Sequence, residues 1–193
     1  MVAPKPLSMQ PVTTAPSQQQ EFVVVDTDAL QQLMSANANQ DLEIAIPPAD
    51  CFSEELRIQI LNNQTFKQCV LKVYSARNFE LSSMKLPDQQ TVQLVHSNRS
   101  FYCVYTSKQQ LMIFNARTTQ MIKAGLHLPN VCMMASSAGT MRLVTLATKG
   151  LIQVFKIKAV ASLDSCQLDW QVGVSELVKG QYAQEAAAAT ADR

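Results

Sequence analysis

The stretch VYSARN at 73–78 returns 40 residues later as IFNART at 113–118. Both run through an apolar pair, a small polar residue, Ala-Arg and a turn. The same shift places TVQLVHS at 91–97 on VCMMASS at 131–137, FYCVYTS at 101–107 on MRLVTLA at 141–147, and Leu111 on Leu151. The dipeptides Leu86-Pro87 and Leu128-Pro129 lie 42 apart, so the connections absorb a slip that the strands do not. A period near 40 carrying about four short strands is the pattern of a β-propeller blade. A four-stranded sheet with two apolar faces must lie between neighbours, so such sheets come in arrays. A sandwich of evenly spaced strands is the plainer alternative, but three consecutive strands at one offset favour blades. The chain is therefore expected to be all-β, with blades at 85–124, at 125–164 and, more weakly, within 21–84. A closed ring takes at least about four blades. The ring is expected to be incomplete, its edges paired with another chain or with copies of this one.

Three regions follow from composition. Residues 1–20, with four prolines and the run QQQ at 18–20, lack the apolar content to offset ordering and are expected to be disordered. Residues 21–178 form the blade domain, and the Ala-rich 179–193 is expected to be a mobile tail. Within the domain, EFVVVDTD is β-like, and Leu30, Leu33 and Met34 fall at helical spacing. DLEIAIPP alternates and is stopped by Pro47-Pro48. LRIQILN at 56–62 and CVLKVYS at 69–75 form a hairpin, and QLMIFNA and LIQVFKI supply further strands. Trp170, Val172 and Val174 alternate in one last strand, which the single tryptophan is expected to anchor.

A net charge of +1, from 16 Lys and Arg against 15 Asp and Glu, gives no field to attract nucleic acid or an anionic membrane. No apolar run approaches the roughly 20 residues of a spanning helix, and no signal-peptide pattern opens the chain. A soluble, intracellular protein is expected, and the family resemblance given below implies a cytoplasmic, membrane-associated one. The five cysteines, 51, 69, 103, 132 and 166, fit neither a CxxC metal site nor a disulfide scaffold and read as reduced core filler. Met112, Met121, Met133, Met134 and Met141 read the same way. The sequons at Asn63 and Asn98 read as chance.

Chemistry is poorly provided for. His96 and His127 stand in different repeats, and neither Ser97 nor Ser100 beside His96 lies on a nucleophile elbow. Asp88 is the only carboxylate between Glu80 and Asp164, and no glycine precedes Gly125. Paired acid–base work and phosphate cradling are both unsupported. The expectation is no catalytic residue, no cofactor, no metal, and no enzyme activity. Arg77 and Arg117 share a repeat position after Ala76 and Ala116. Stacked blades would bring them to one rim, a candidate protein-binding edge for an acidic partner.

The segments RSFYCVYTSKQQLMIFNARTTQMIKAGLHLPN and TMRLVTLATKGLIQVFKIKAVASL resemble the last blades of the lethal giant larvae and tomosyn family of WD-repeat-like proteins. The similarity covers about 60 residues and is carried by Thr106-Ser107-Lys108-Gln109, Lys149-Gly150 and Val154-Phe155. It implies degenerate WD-type blades and a non-enzymatic scaffold in exocytosis, vesicle-mediated transport or cell polarity. SNARE, polarity or cytoskeletal proteins would be its partners. The chain departs from that family in lacking a further blade after Trp170 and a closing coiled coil with sustained heptads. The stretch LVTLATKGLIQVFKI…LDWQV at 143–172 is also similar to the C-terminal region of the Hira histone chaperones, which implies a nuclear chromatin-assembly scaffold.

Overall fold

The computed structural model describes residues 32, 34–48, 54–63, 65, 68–87, 89–137, 140–158 and 165–177. Residues 1–20, EFVVVDTD and 179–193 lie outside them. Twelve strands fall into three four-stranded antiparallel sheets, each built from strands consecutive in the chain. Blade 1 holds β1 (Leu42–Ile46), β2 (Leu56–Asn63), β3 (Gln68–Tyr74) and β4 (Glu80–Lys85). Blade 2 holds β5 (Val92–Ser97), β6 (Phe101–Thr106), β7 (Gln110–Asn115) and β8 (Met121–His127). Blade 3 holds β9 (Val131–Ala135), β10 (Arg142–Ala147), β11 (Leu151–Ile157) and β12 (Cys166–Gly173). Among the described residues the fold is an incomplete β-propeller, with three blades and no closed ring.

Two apolar cores lie between the sheets. One joins Ile58, Ile60, Leu71 and Val73 of blade 1 to Tyr102, Val104, Met112 and Phe114 of blade 2. The other joins Phe101, Cys103, Tyr105, Leu111 and Ile113 of blade 2 to Val131, Leu143, Phe155 and Ile157 of blade 3. Blade 2 is therefore buried on both faces, and every residue of β6 is buried. In β3 of blade 1, buried positions alternate with half-buried ones, as in a sheet with one covered face. A helical turn over 34–37 adds Met34 to the second core.

The blades repeat with two offsets rather than one. Thr91 and Asn130, 39 apart, accept the amides of Ser107 and Thr148, 41 apart. Innermost strands therefore recur at the shorter interval and the middle hairpins at the longer. The sequence shift of 40 falls midway between them. The repeat boundaries move accordingly: the sheets span 42–85, 92–127 and 131–173 rather than 85–124 and 125–164. Both Leu-Pro dipeptides follow an outer strand, where Leu86 donates to the Cys69 carbonyl and Leu128 to that of Gln109. Tyr105 secures the second of these connections, its hydroxyl donating to the Leu128 carbonyl at 2.8 Å and accepting from the Val131 amide at 3.3 Å.

Two strands escape the sequence pattern, β4 (ELSSMK) and β8 (MIKAGLH). Each is the outer strand of its sheet: β4 is largely exposed, while β8 buries Ile122 and packs Leu126 against the core shared with blade 3 but exposes Ala124 and Gly125 between them. Trp170 corrects the expectation of an anchor. It lies in β12 as expected, but the side chain is 47% exposed on the outer strand of blade 3.

Candidate functional site

The two arginines singled out by the repeat occupy corresponding connections whose turns differ in length by one residue. Arg77 lies in the connection from β3 to β4, where Ser75 donates to the Phe79 carbonyl and Asn78 takes a φ of 62°. Arg117 lies in the connection from β7 to β8, where Asn115 donates to the Gln120 carbonyl and Thr119 takes a φ of 57°. Asn115 Oδ1 accepts the amides of Arg117 and Thr118 at 2.8 and 3.1 Å, an Asx turn that fixes the backbone under Arg117. Both turns lie at the end of the sheets where the innermost strands finish, since Ile46 pairs with Leu56 and Arg57 with Tyr74. The Arg77 side chain is 76% exposed and forms an ion pair with Glu54 at 3.5 Å. Phe79 and Leu81, both exposed, continue the surface beside it. An exposed arginine next to an exposed aromatic is the residue chemistry enriched at protein interfaces.

His96 meets a partner that the local sequence does not show. Its Nε2 lies 2.7 Å from Ser136 Oγ, on the innermost side of blade 3, and Asn98 Nδ2 donates to the same hydroxyl at 2.9 Å. The geometry strings Asn98, Ser136 and His96 into one chain of contacts, in which the role of the His96 nitrogen follows its tautomer. A nucleophile next to a base is half of a catalytic triad. The third group of a triad orients the base, whereas Asn98 occupies the serine oxygen. The relay serves to join blades 2 and 3. Ser97, the local candidate, instead donates to the Ala45 carbonyl at 2.7 Å and joins blade 2 to blade 1. Asn98 is buried, caps Ser100 and Phe101, and donates to the Thr140 carbonyl.

Partial burial pushes His96 below its ordinary value of 6.5. The unfolded chain therefore takes up the extra proton more readily than the folded one. Stability should be unaffected above pH 6.5 and should fall as pH drops through that value toward the folded one. Thermal unfolding between pH 5 and 8 should show this decline in the wild type. His96→Gln, which can still accept from Ser136, should flatten it.

The remaining polar chemistry is structural. Cys69 is buried and its thiol is pushed up to about 12, while Cys166 rises to about 11, both by desolvation. These thiols have no thiolate character at neutral pH. Among the described residues, no three of His, Cys, Asp and Glu come together as a metal-binding group, and no helix is long and apolar enough to cross a membrane. Gln90, fully buried, has neither its amide nitrogen nor its oxygen hydrogen bonded among the described residues. An unpaired buried amide carries its whole desolvation penalty. Gln90→Met, of similar shape, should raise stability by about 1 kcal/mol in urea denaturation.

No protein-family model matches the sequence, and no curated protein matches it. Three solved structures are similar in fold. A crystal structure of HIRA superposes on 60% of this chain with a TM-score of 0.47 and 14% identity. The Swd1 β-propeller domain of Myceliophteria thermophila covers 67% of it, with a TM-score of 0.40 and 12% identity. A chain of the mitotic checkpoint complex covers 89%, with a TM-score of 0.45 and 11% identity. The present chain spans 37%, 57% and 49% of those chains respectively, less than two thirds of each.

Proposed function

We propose that this chain is a non-enzymatic protein-interaction scaffold, cytoplasmic, acting in vesicle exocytosis or cell polarity. The observation that carries the interaction reading is the rim on which Arg77 and Arg117 lie in corresponding connections of successive blades, with Phe79 exposed beside Arg77. The polar groups that could have served catalysis are instead spent on joining sheets. The cellular setting rests on the resemblance to the lethal giant larvae and tomosyn family. Its matching residues Thr106–Gln109 and Lys149-Gly150 form equivalent turns, in which Gln109 donates to Thr106 and Gly150 to Ala147. Both take positive φ, 59° at Gln109 and 74° at Gly150, which makes glycine the easier residue there. The acidic face of a SNARE helix bundle is the partner chemistry that two guanidinium forks suit.

The test is binding of a purified SNARE bundle to the wild-type chain, followed calorimetrically. Arg77→Glu with Arg117→Glu should weaken it at least tenfold and reduce its dependence on salt. Equal binding by the double variant would remove the rim from the argument. A turnover activity lost on His96→Ala or His127→Ala would overturn the scaffold reading as a whole. The nuclear alternative rests on the strand, Gly-turn and Trp-strand layout, which β10 to β12 reproduce. Preferential binding of histones would select it.

A further inference from the structure

We propose that the seam between blades 2 and 3 holds a binding site for a soft monovalent metal ion, copper(I), with Cys103 Sγ, Met134 Sδ and the His96 imidazole as its ligands. The site goes beyond the scaffold reading and does not involve the rim.

The three residues come from three strands that no spacing in the sequence brings together. In blade 2, His96 of β5 pairs with Cys103 of β6, and strand alternation turns both toward blade 3, as it does Phe101 and Tyr105 on either side of Cys103. In blade 3, Met134 of β9 pairs with Thr145 of β10, two residues on from Leu143 in the shared core, so both face back across the seam. Two contacts then cross from blade to blade. Cys103 Sγ lies 3.8 Å from Met134 Sδ, and His96 Nε2 lies 2.7 Å from the Oγ of Ser136, one residue past β9. A thiol, a thioether and an imidazole are thus gathered at one seam.

Sulfurs 3.8 Å apart can share one ion held at about 2.3 Å from each, at an angle between tetrahedral and trigonal. The same spacing is an ordinary packing distance, so two further features decide. The first is the imidazole. Ser136, itself held by Asn98 Nδ2 at 2.9 Å, engages Nε2 and leaves Nδ1 to coordinate. Ligating histidines are oriented in this way, by an oxygen on the second ring nitrogen. Coordination through Nδ1 selects the tautomer in which Nε2 donates to Ser136. The second is Thr145, whose buried hydroxyl has no hydrogen-bond partner among the described residues. It faces a seam where thiol and thioether are weak acceptors. A metal-bound thiolate there is a strong one, and the orphan hydroxyl is the group that an occupied site satisfies.

The burial of Cys103 selects the charge of the ion. Its side chain has no exposure, so a bare thiolate is penalised. When copper(I) binds, the S–H bond breaks, the sulfur pair passes to the metal and the proton leaves to solvent. The copper thiolate is neutral, and the copper keeps its oxidation state. A divalent ion would leave one positive charge in the seam. The thioether selects in the same direction, since it suits copper(I) and not the hard divalent ions. His96 and Met134 are half-buried, so the ion reaches the sulfurs from their side rather than through the core.

The test offers the full chain copper(I) held by bicinchoninate, without oxygen and with glutathione in excess. Wild type should withdraw one equivalent and release one proton, and X-ray absorption at the copper edge should show two sulfur neighbours and one nitrogen. Met134→Leu and His96→Gln leave all five cysteines in place, yet each should weaken retention about tenfold or more. Circular dichroism establishes that both variants fold. No copper retained against glutathione, or equal retention by wild type and both folded variants, would overturn the proposal. So would a shell of sulfur alone, the mark of capture by free thiols. If a variant does not fold, the absorption spectrum of the wild type decides by itself.

Discussion

Phe114→Ala should lower stability by about 4 kcal/mol in urea denaturation. Phe114 is fully buried and stacks on Tyr102, with ring centres 4.8 Å apart and planes within 9° of parallel. Truncation removes the transfer energy of the ring, the stacking contribution, and the packing of neighbours that cannot close the void. The site is in the core that joins blade 1 to blade 2, among Ile58, Ile60 and Val73. In a linear stack each sheet rests on its neighbours alone, so a weakened interface lets an end sheet open on its own. The variant should show an early transition for blade 1 that precedes loss of the blade 2 and blade 3 core. Phe79→Ala, at a position 67% exposed, is the control and should stay within about 0.5 kcal/mol of wild type. A loss below about 1 kcal/mol at Phe114 would mean that blade 1 is held by something other than this core.

What was legible in the sequence was whatever burial writes into it. The strands of the middle hairpins carry apolar residues on one or both faces, and all of them stand out in the bare chain. ELSSMK faces water and looks like a connection, and in MIKAGLH a single buried residue, Ile122, is too weak a signal to stand out. The placement of Arg77 and Arg117 in corresponding connections was legible from the repeat, but the extra residue in the turn after β7 was not. Trp170 misled for a related reason: a large aromatic at an alternating position suggests burial, but the alternation is that of an outward face. The link from His96 to Ser136 was hidden from any local reading. It is visible only once the innermost strands β5 and β9 are set side by side, which puts Ser136, one residue past the end of β9, next to His96. Asn62 gave no signal of its role, since its partners come from the helical turn, from β1's approach and from blade 2.

Asn62→Ala should lower stability by about 3 kcal/mol and release the start of blade 2 from blade 1. The side chain is buried, and its oxygen accepts the Val92 amide at 2.9 Å. Its nitrogen donates to the Val92 carbonyl at 3.0 Å and to the Gln40 carbonyl at 2.9 Å, with Asn37 O at 3.2 Å sharing a proton. The Asn62 backbone amide donates to Asp41 Oδ1 at 3.0 Å. One amide thus satisfies both backbone groups of a residue with no exposure, which a sheet partner would otherwise have to do. Alanine takes the side-chain partner from both groups of Val92, and the penalty is that of desolvation rather than of lost attraction. Asn62→Asp sharpens the argument, because it keeps the oxygen facing the Val92 amide while setting a second acceptor against the carbonyls of Val92 and Gln40. It should be at least as destabilising as alanine, despite being the nearer isostere. Hydrogen exchange at the Val92 amide is the direct readout: protection should drop in Asn62→Ala well before it drops in the middle strands of blade 2. If Val92 stays as protected as Val104, the two blades are joined by their apolar core alone and Asn62 only fills space.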